Sequence, residues 1–458
     1  MQTRMTRWAG FGLIALGGAL SACGPSGSSA SHTAAAAAVQ QGSEGGQWGN
    51  WDGWGFWGGD EWLERERAEQ GLAVSPVPID TSSMGAWKRH KVGLGSYLVN
   101  AAGDCSGCHS GPAGYLAGGV QFNLDGQGHK VFSRNLTPDP ATGLKLSEAE
   151  FKEAIRTGRD FHPDETKMLV VMPWLYLRWE SDEDLEAIYA YLTAIPPVAN
   201  PVPSDNKSDL PLPDAIPFPG KYTDGDVVRW LPGSHRSFDP WRGLAIAPKA
   251  LPPSVEDGRA RRYGVGSYIA NATLACSECH THPDRSAGKV NTADYLTGGT
   301  VYATPPPLQQ ATGYVRATSA NLEGAAQGFF SEPTDSFGRF QAIMKTGTLV
   351  DETPQRPLAF PMFIIAGSLK NLLPYDLHSL YTYLKRTERT AGASDVGRQP
   401  PARWCAKDGD CHPDETCSAR ECTGGACGAD SDCGTCQPCS SSSHTCQAPD
   451  PGCVAAAN

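Results

Sequence analysis

The sequence predicts a mainly α-helical chain made of two tandem helical domains, with a small disulfide-rich module at its C-terminal end. Three observations predict it. Cys-x-x-Cys-His occurs twice, at Cys105–His109 and Cys276–His280. The segments leading into the two motifs, Val92–His109 and Tyr263–His280, align without a gap; Gly93/Gly264, Gly95/Gly266, Ser96/Ser267, Tyr97/Tyr268, Asn100/Asn271 and Ala101/Ala272 are identical. Apolar residues then recur at helical spacing after each motif, while ten of the 15 cysteines crowd between Cys405 and Cys453. A duplicated motif that carries its preceding segment with it marks a duplicated domain.

Cys-x-x-Cys-His is the spacing of covalent c-type haem attachment. Each thiol adds across one vinyl group, and the adjacent imidazole is placed to ligate the iron from one face. Cys105, Cys108 and His109 form one attachment set; Cys276, Cys279 and His280 form the other. Two covalently bound haem c groups are therefore the expected cofactors, with His109 and His280 as iron ligands.

Helical signals recur in the same order after each motif. Ser147 and Glu150 make a capping box ahead of Phe151, Ala154 and Ile155. Ser336–Thr346 is its counterpart, with Phe340, Ile343 and Met344 on one face. Asp182–Leu192 carries Leu185, Ile188, Tyr189 and Leu192 on a stripe that Leu377, Leu380, Tyr381 and Leu384 repeat. No strand alternation stands out between them, so both domains are expected to be all-helical.

The chain has 458 residues and a net charge of −11. An acidic balance excludes nucleic acid as a partner, since phosphate binding needs a basic face. Residues 1–22 have the features of a secretory signal: Arg4 and Arg7 precede the apolar run Trp8–Leu20. Leu20-Ser21-Ala22-Cys23 resembles a bacterial lipobox, which makes Cys23 the expected lipidation site and a membrane surface the expected location. Residues 23–84 read as a Gly/Ser/Trp-rich tether whose Trp48, Trp51, Trp54 and Trp57 recur at every third position. That period fits neither helix nor strand, so a low-complexity linker is preferred to a binding site.

The first haem domain is expected at 85–197, a proline-rich connector at 198–255 and the second haem domain at 256–388. A linker at 389–404 leads to the cysteine-rich module at 405–453. In an oxidising compartment its dense, even set of cysteines reads as a disulfide framework rather than a zinc site. Ser440 follows Cys439, so the tail adds no third Cys-x-x-Cys-His.

With these residues in view, the chain resembles the di-haem class I cytochromes c, and especially the cytochrome c subunits of membrane-bound bacterial alcohol and sugar dehydrogenases. The resemblance runs through Gly95-Ser96-Tyr97-Leu98-Val99, the haem motif, Tyr115-Leu116-Ala117-Gly118-Gly119 and Asn135-Leu136-Thr137-Pro138-Asp139. It continues through Phe151–Gly158, Met172-Pro173-Trp174 and Asp184–Pro197. The second domain matches in its haem motif, Tyr295–Gly299, Asn321-Leu322 and the last helix.

The family's Met-Pro-Trp pattern implies Met172 as the distal iron ligand, with His129, His162 and Met168 as competing donors in the same domain. The separation between equivalent residues grows steadily through Cys105/Cys276, Tyr115/Tyr295, Asn135/Asn321, Phe151/Phe340 and Leu185/Leu377. Met172/Met362 falls in this order between the last two, whereas Met344 aligns with the core residue Ile155. Met362 is thus the expected second distal ligand. Asn135, Asn321 and Arg134 either bond a haem propionate or a ligand loop, or serve in backbone turns.

His/Met coordination favours ferrous iron and leaves no open position, the pattern of a carrier rather than a catalyst. The resemblance implies an extracytoplasmic electron carrier working with a redox protein, either a dehydrogenase subunit or another cytochrome. Two other classes compete: a di-haem peroxidase or thiosulfate-oxidising enzyme with a non-methionine or open haem, and a surface-binding lipoprotein whose tail recognises a partner.

Overall fold

The computed structural model describes residues 59–124, 127–161, 167–212, 236–247, 257–281, 295–304, 316–322, 329–330, 335–350, 355–386, 416–418 and 421–423. The signal segment, Cys23, the tryptophan run and the tail cysteines other than Cys417 and Cys422 lie outside these residues.

Helices dominate and recur in order. The first series is α1 (Gly59–Val74), α2 (Ala86–Tyr97) continuing as a π-helical turn (Leu98–Ala102), and α3 (Cys105–His109). A short ribbon β1 (Gln121–Asn123) with β2 (Lys130–Phe132) follows, then α4 (Glu148–Thr157), α5 (Trp174–Leu177) and α6 (Asp182–Leu192). The second series is α7 (Pro240–Ile246), α8 (Asp257–Tyr268) with its π-helical turn (Ile269–Thr273), and α9 (Cys276–His280). Ribbon β3 (Val301–Ala303) with β4 (Arg316–Thr318) comes next, then α10 (Phe337–Thr346). The pair β5 (Thr348–Leu349) and β6 (Arg356–Pro357) precedes α11 (Met362–Leu369) and α12 (Pro374–Arg386). In the tail, β7 (Thr416–Ser418) pairs antiparallel with β8 (Glu421–Thr423), setting Cys417 opposite Cys422. No helix among the described residues is long and apolar enough to cross a membrane.

Two features differ from the sequence-based expectation. The repeats are not all-helical: each has an antiparallel ribbon of three-residue strands, too short to show an alternation that could be read beforehand. Moreover, Gly59–Val74, within the expected tether, and Pro240–Ile246, within the expected connector, are helices packed on α2 and α8.

Glycine explains that packing. A β-carbon on Gly71 would lie 1.9 Å from the Gly93 carbonyl oxygen, and one on Gly95 would lie 1.8 Å from the Ala187 carbonyl oxygen. On opposite sides of α2, then, α1 and α6 reach the helix at backbone distance. Gly243 against Gly264 (1.8 Å) and Gly266 against Ser379 (2.0 Å) repeat both approaches in the second series. Ser96 Oγ donates to the Gly71 carbonyl at 2.6 Å, and Ser267 Oγ to the Gly243 carbonyl at 2.7 Å. The Gly-x-Gly-Ser strings shared by the repeats are thus the contact surface of two close helix crossings.

Elsewhere local signals act as expected. Ser147 and Glu150 form the reciprocal capping box, and α4 ends at Gly158 with φ 75°. Ser336 caps α10, and Gly347 (φ 67°) ends it. Phe151, Ile155, Phe340, Ile343 and Met344 are all buried in one core to which both series contribute.

Alanine at Gly95 or Gly266 should lower the thermal midpoint. The backbone clash there costs about 1–3 kcal/mol, more than the roughly 1 kcal/mol alanine adds to helix propensity. Gly338→Ala is the control, since a β-carbon there meets only Ser336 Oγ at 3.9 Å; an unchanged or raised midpoint is expected. Equal losses at all three positions would refute the packing explanation.

Candidate functional site

Each Cys-x-x-Cys-His motif forms a one-turn helix directly after a π-helical turn. Cys105, Cys108, Cys276 and Cys279 carry free thiols. Burial pushes the thiols of Cys105, Cys108 and Cys276 up to about 12, and raises that of Cys279.

The imidazoles are oriented by the backbone. His109 Nδ1 lies 2.8 Å from the Arg134 carbonyl oxygen, and His280 Nδ1 lies 2.6 Å from that of Ala320. A proton on Nδ1 donates to the carbonyl and leaves Nε2 as the basic nitrogen, the tautomer an iron ligand needs. Burial lowers the basicity of both rings, which keeps them neutral. The two accepting carbonyls precede Asn135 and Asn321, the equivalent Asn-Leu pairs.

The Tyr-Leu-x-Gly-Gly segment builds the opposite wall of each turn. Gly118 N–H donates to the His109 carbonyl at 2.7 Å, and Gly298 N–H to the His280 carbonyl at 2.8 Å. Leu116 (φ 53°) and Leu296 (φ 61°) are held in the left-handed region, and Gly118 and Gly298 follow at φ 72° and 75°. Backbone strain of this kind persists only where surroundings impose it. Here Leu116 N–H donates to Ser110 Oγ at 3.1 Å and Leu296 N–H to Thr281 Oγ1 at 2.8 Å.

Behind the turns lies a buried polar triad. Tyr115 Oη donates to Asn100 Oδ1 at 2.5 Å, and Asn100 Nδ2 donates to Tyr191 Oη at 3.1 Å. Tyr295, Asn271 and Tyr383 repeat it at 2.6 and 3.0 Å. Sequence periodicity had put Tyr189 and Tyr381 on the inner stripe; the structure buries Tyr191 and Tyr383 more deeply. Identity of Asn100/Asn271 and Tyr115/Tyr295 was the available signal for them.

The predicted distal residues occupy comparable places. Met172 immediately precedes Pro173, the N-cap of α5, and Met362 immediately follows Pro361, the N-cap of α11. Both side chains are half-buried against the same core as Cys105 and Cys276. The competitors are placed differently. His129 Nε2 lies 3.0 Å from Asp209 Oδ1, Met168 packs beside Trp174 and Leu175 in a separate cluster, and His162 falls outside the described residues. Met344 is 4% exposed, as its alignment with Ile155 requires.

Asn135 serves the backbone: its Oδ1 accepts from Thr137 N–H at 3.0 Å and its Nδ2 donates to the Val198 carbonyl at 2.8 Å. Arg134 is different. Its Nη2 bonds Asp205 at 2.8 Å and Asp160 at 3.2 Å, while its buried Nη1 makes no hydrogen bond. Free thiols in pairs, imidazoles oriented through Nδ1 and a buried guanidinium nitrogen form a donor set that fits haem c with its propionates.

No protein-family model matches the chain. The fructose dehydrogenase cytochrome subunit of Gluconobacter japonicus is 26% identical over 319 residues, covering 69% of this chain and 56% of that protein. The gluconate 2-dehydrogenase cytochrome c subunit of Pantoea cypripedii is 29% identical over 316 residues, covering 66% and 60%. A di-haem c-type cytochrome of Cereibacter sphaeroides is 23% identical over 273 residues, covering 56% and 80%. The match thus spans little more than half the length of these two dehydrogenase subunits. By its repeated Cys-x-x-Cys-His turns and these matches, the chain is a relative of the cytochrome c subunits of bacterial dehydrogenases and of a di-haem cytochrome c.

Proposed function

We propose that the chain is a di-haem c-type cytochrome that carries electrons from an extracytoplasmic dehydrogenase or quinol-linked donor to a downstream acceptor. The observation that carries this reading is the pair of Cys-x-x-Cys-His turns, each with free thiols and an imidazole oriented through Nδ1 by a backbone carbonyl. Names of the relatives support a dehydrogenase as the electron donor.

When bound, haem supplies a one-electron ferric/ferrous couple. Cys105 and Cys108, and likewise Cys276 and Cys279, would anchor it as thioethers. His109 and His280 would ligate the iron through Nε2, and Met172 and Met362 would each supply a thioether sulfur as the second protein ligand. A thioether ligand raises the potential relative to a second imidazole, which suits an acceptor of electrons. Arg134 Nη1 would receive a propionate in the first site; Ala320 stands in that place in the second, so the two sites differ in local charge.

In this reading the chain comprises two cytochrome c-type domains, each taking in its leading helix, α1 or α7. The cysteine-rich module at 405–453 is a disulfide-stapled satellite. Acyl chains on Cys23 hold the soluble body at the extracytoplasmic face of a bacterial membrane.

His109→Ala and His280→Ala should each convert one haem from a low-spin to a high-spin absorption spectrum; two unchanged low-spin haems would refute the assignment. Met172→Ala and Met362→Ala should each halve the methionine–iron charge-transfer band near the red end of the ferric spectrum and lower one potential in a redox titration. A band of full intensity would remove that methionine as a ligand. Cys23→Ser should shift the protein from the membrane to the soluble fraction, and deletion of 405–458 should leave both haem spectra intact. Loss of haem on that truncation would place the tail within the core fold.

A further inference from the structure

The two repeats exchange reciprocal contacts. Tyr97, at the end of α2 in the first repeat, donates its hydroxyl to Asp376 Oδ2 at 2.7 Å in α12 of the second. Tyr268, its equivalent in α8, donates to Asp184 Oδ2 at 2.5 Å in α6 of the first. Each phenol oxygen also accepts from a backbone N–H of the opposite repeat, Leu373 at 2.9 Å and Ser181 at 2.6 Å. All four side chains are fully buried. Phe238 stands between the tyrosine rings, 5.7 Å from Tyr97 and 5.9 Å from Tyr268.

The exchange continues down to the attachment turns. A β-carbon on Gly107, inside the first Cys-x-x-Cys-His, would lie 3.2 Å from Ile364 of α11, the helix that Met362 begins. Asp104 Oδ1, just before Cys105, accepts from Ser368 Oγ of that helix at 2.9 Å. Reciprocally, Ala275, just before Cys276, packs with Trp174, Leu175 and Tyr176 of α5, the helix that follows Met172. The segments that lead into the two turns also approach each other: a β-carbon on Gly103 would lie 3.6 Å from the Thr273 carbonyl oxygen.

We infer that Tyr97–Asp376 and Tyr268–Asp184 are crossed clasps that set the two haem-attachment turns face to face, making these four side chains positioning residues for electron exchange within one chain. The inference rests on the proposed di-haem reading. In the exchange one ferrous iron is oxidised as the other ferric iron is reduced, with no bond made and no proton moved. Buried charge-assisted hydrogen bonds suit such a clasp because their donors cannot be replaced by water. The clasps differ in backing: Arg67 of α1 holds Asp376 through Nε at 2.9 Å and Nη2 at 2.5 Å, whereas Ser237 Oγ and Phe238 N–H hold Asp184.

The test uses the full-length protein with both haems in place. Electron paramagnetic resonance of the fully oxidised form should show spin–spin broadening between two low-spin ferric haems. Tyr97→Phe with Tyr268→Phe removes only two oxygen atoms; it should keep both haems and both methionine bands, lose that broadening, and slow electron exchange in half-reduced samples. Broadening retained in the double variant overturns the inference. So does a wild-type spectrum that is the plain sum of two isolated haems, a readout that needs no variant to fold. A wild-type protein with fewer than two haems overturns the di-haem reading instead, and the two failures are told apart by haem content.

Discussion

Carbonyl oxygens of Ala187 and Ser379 stand where the β-carbons of Gly95 and Gly266 would otherwise be. Because α2 and α8 have no side chain there, α6 and α12 lie against them at backbone distance. That closeness brings Tyr191 and Tyr383 within reach of Asn100 and Asn271, and through them of Tyr115 and Tyr295. The latter two tyrosines begin the segments that wall the attachment turns. The remaining architecture of both sites follows from two pairs of helices that touch through their backbones.

The same helices carry Tyr97 and Tyr268 across to the opposite repeat, so one core serves both halves. A polar group buried in such a core costs about 1–3 kcal/mol when left unpaired, and the chain meets this with a closed set of partners. Tyr97, Tyr268, Asp184 and Asp376 all take hydrogen-bond partners from the other half or from its leading segment. Such a closed set of partners fixes the orientation of the segments that carry it. Rigidity is what a carrier requires of its protein: the cofactor does the redox chemistry, and the chain supplies orientation and a dry surrounding.

Much of this was legible in the sequence, and the unreadable parts have physical causes. The duplicated motif, the capping box at Ser147, the counterpart helices and the equivalence of Met344 with Ile155 could all be read from pattern and spacing. The ribbons could not, because three-residue strands carry too little periodicity. The helix Gly59–Val74 escaped notice because Glu, Arg and Gln fill its exposed faces, with buried Leu63, Arg67 and Ala68 too sparse for a clear stripe. The partners of His109 and His280 were hidden for another reason: backbone carbonyls leave no residue-type signature. Tyr97 and Tyr268 were visible as identities, but a contact between residues as distant as Tyr97 and Asp376 has no local trace.

Two covalent haems per chain underlie both sites, and intact mass measured under denaturing conditions addresses their presence alone. Mature protein should weigh more than its polypeptide by two haem groups, and peptides containing Cys105–His109 and Cys276–His280 should each carry one. A mass that accounts for one haem or none, with free thiols at either motif, would contradict it.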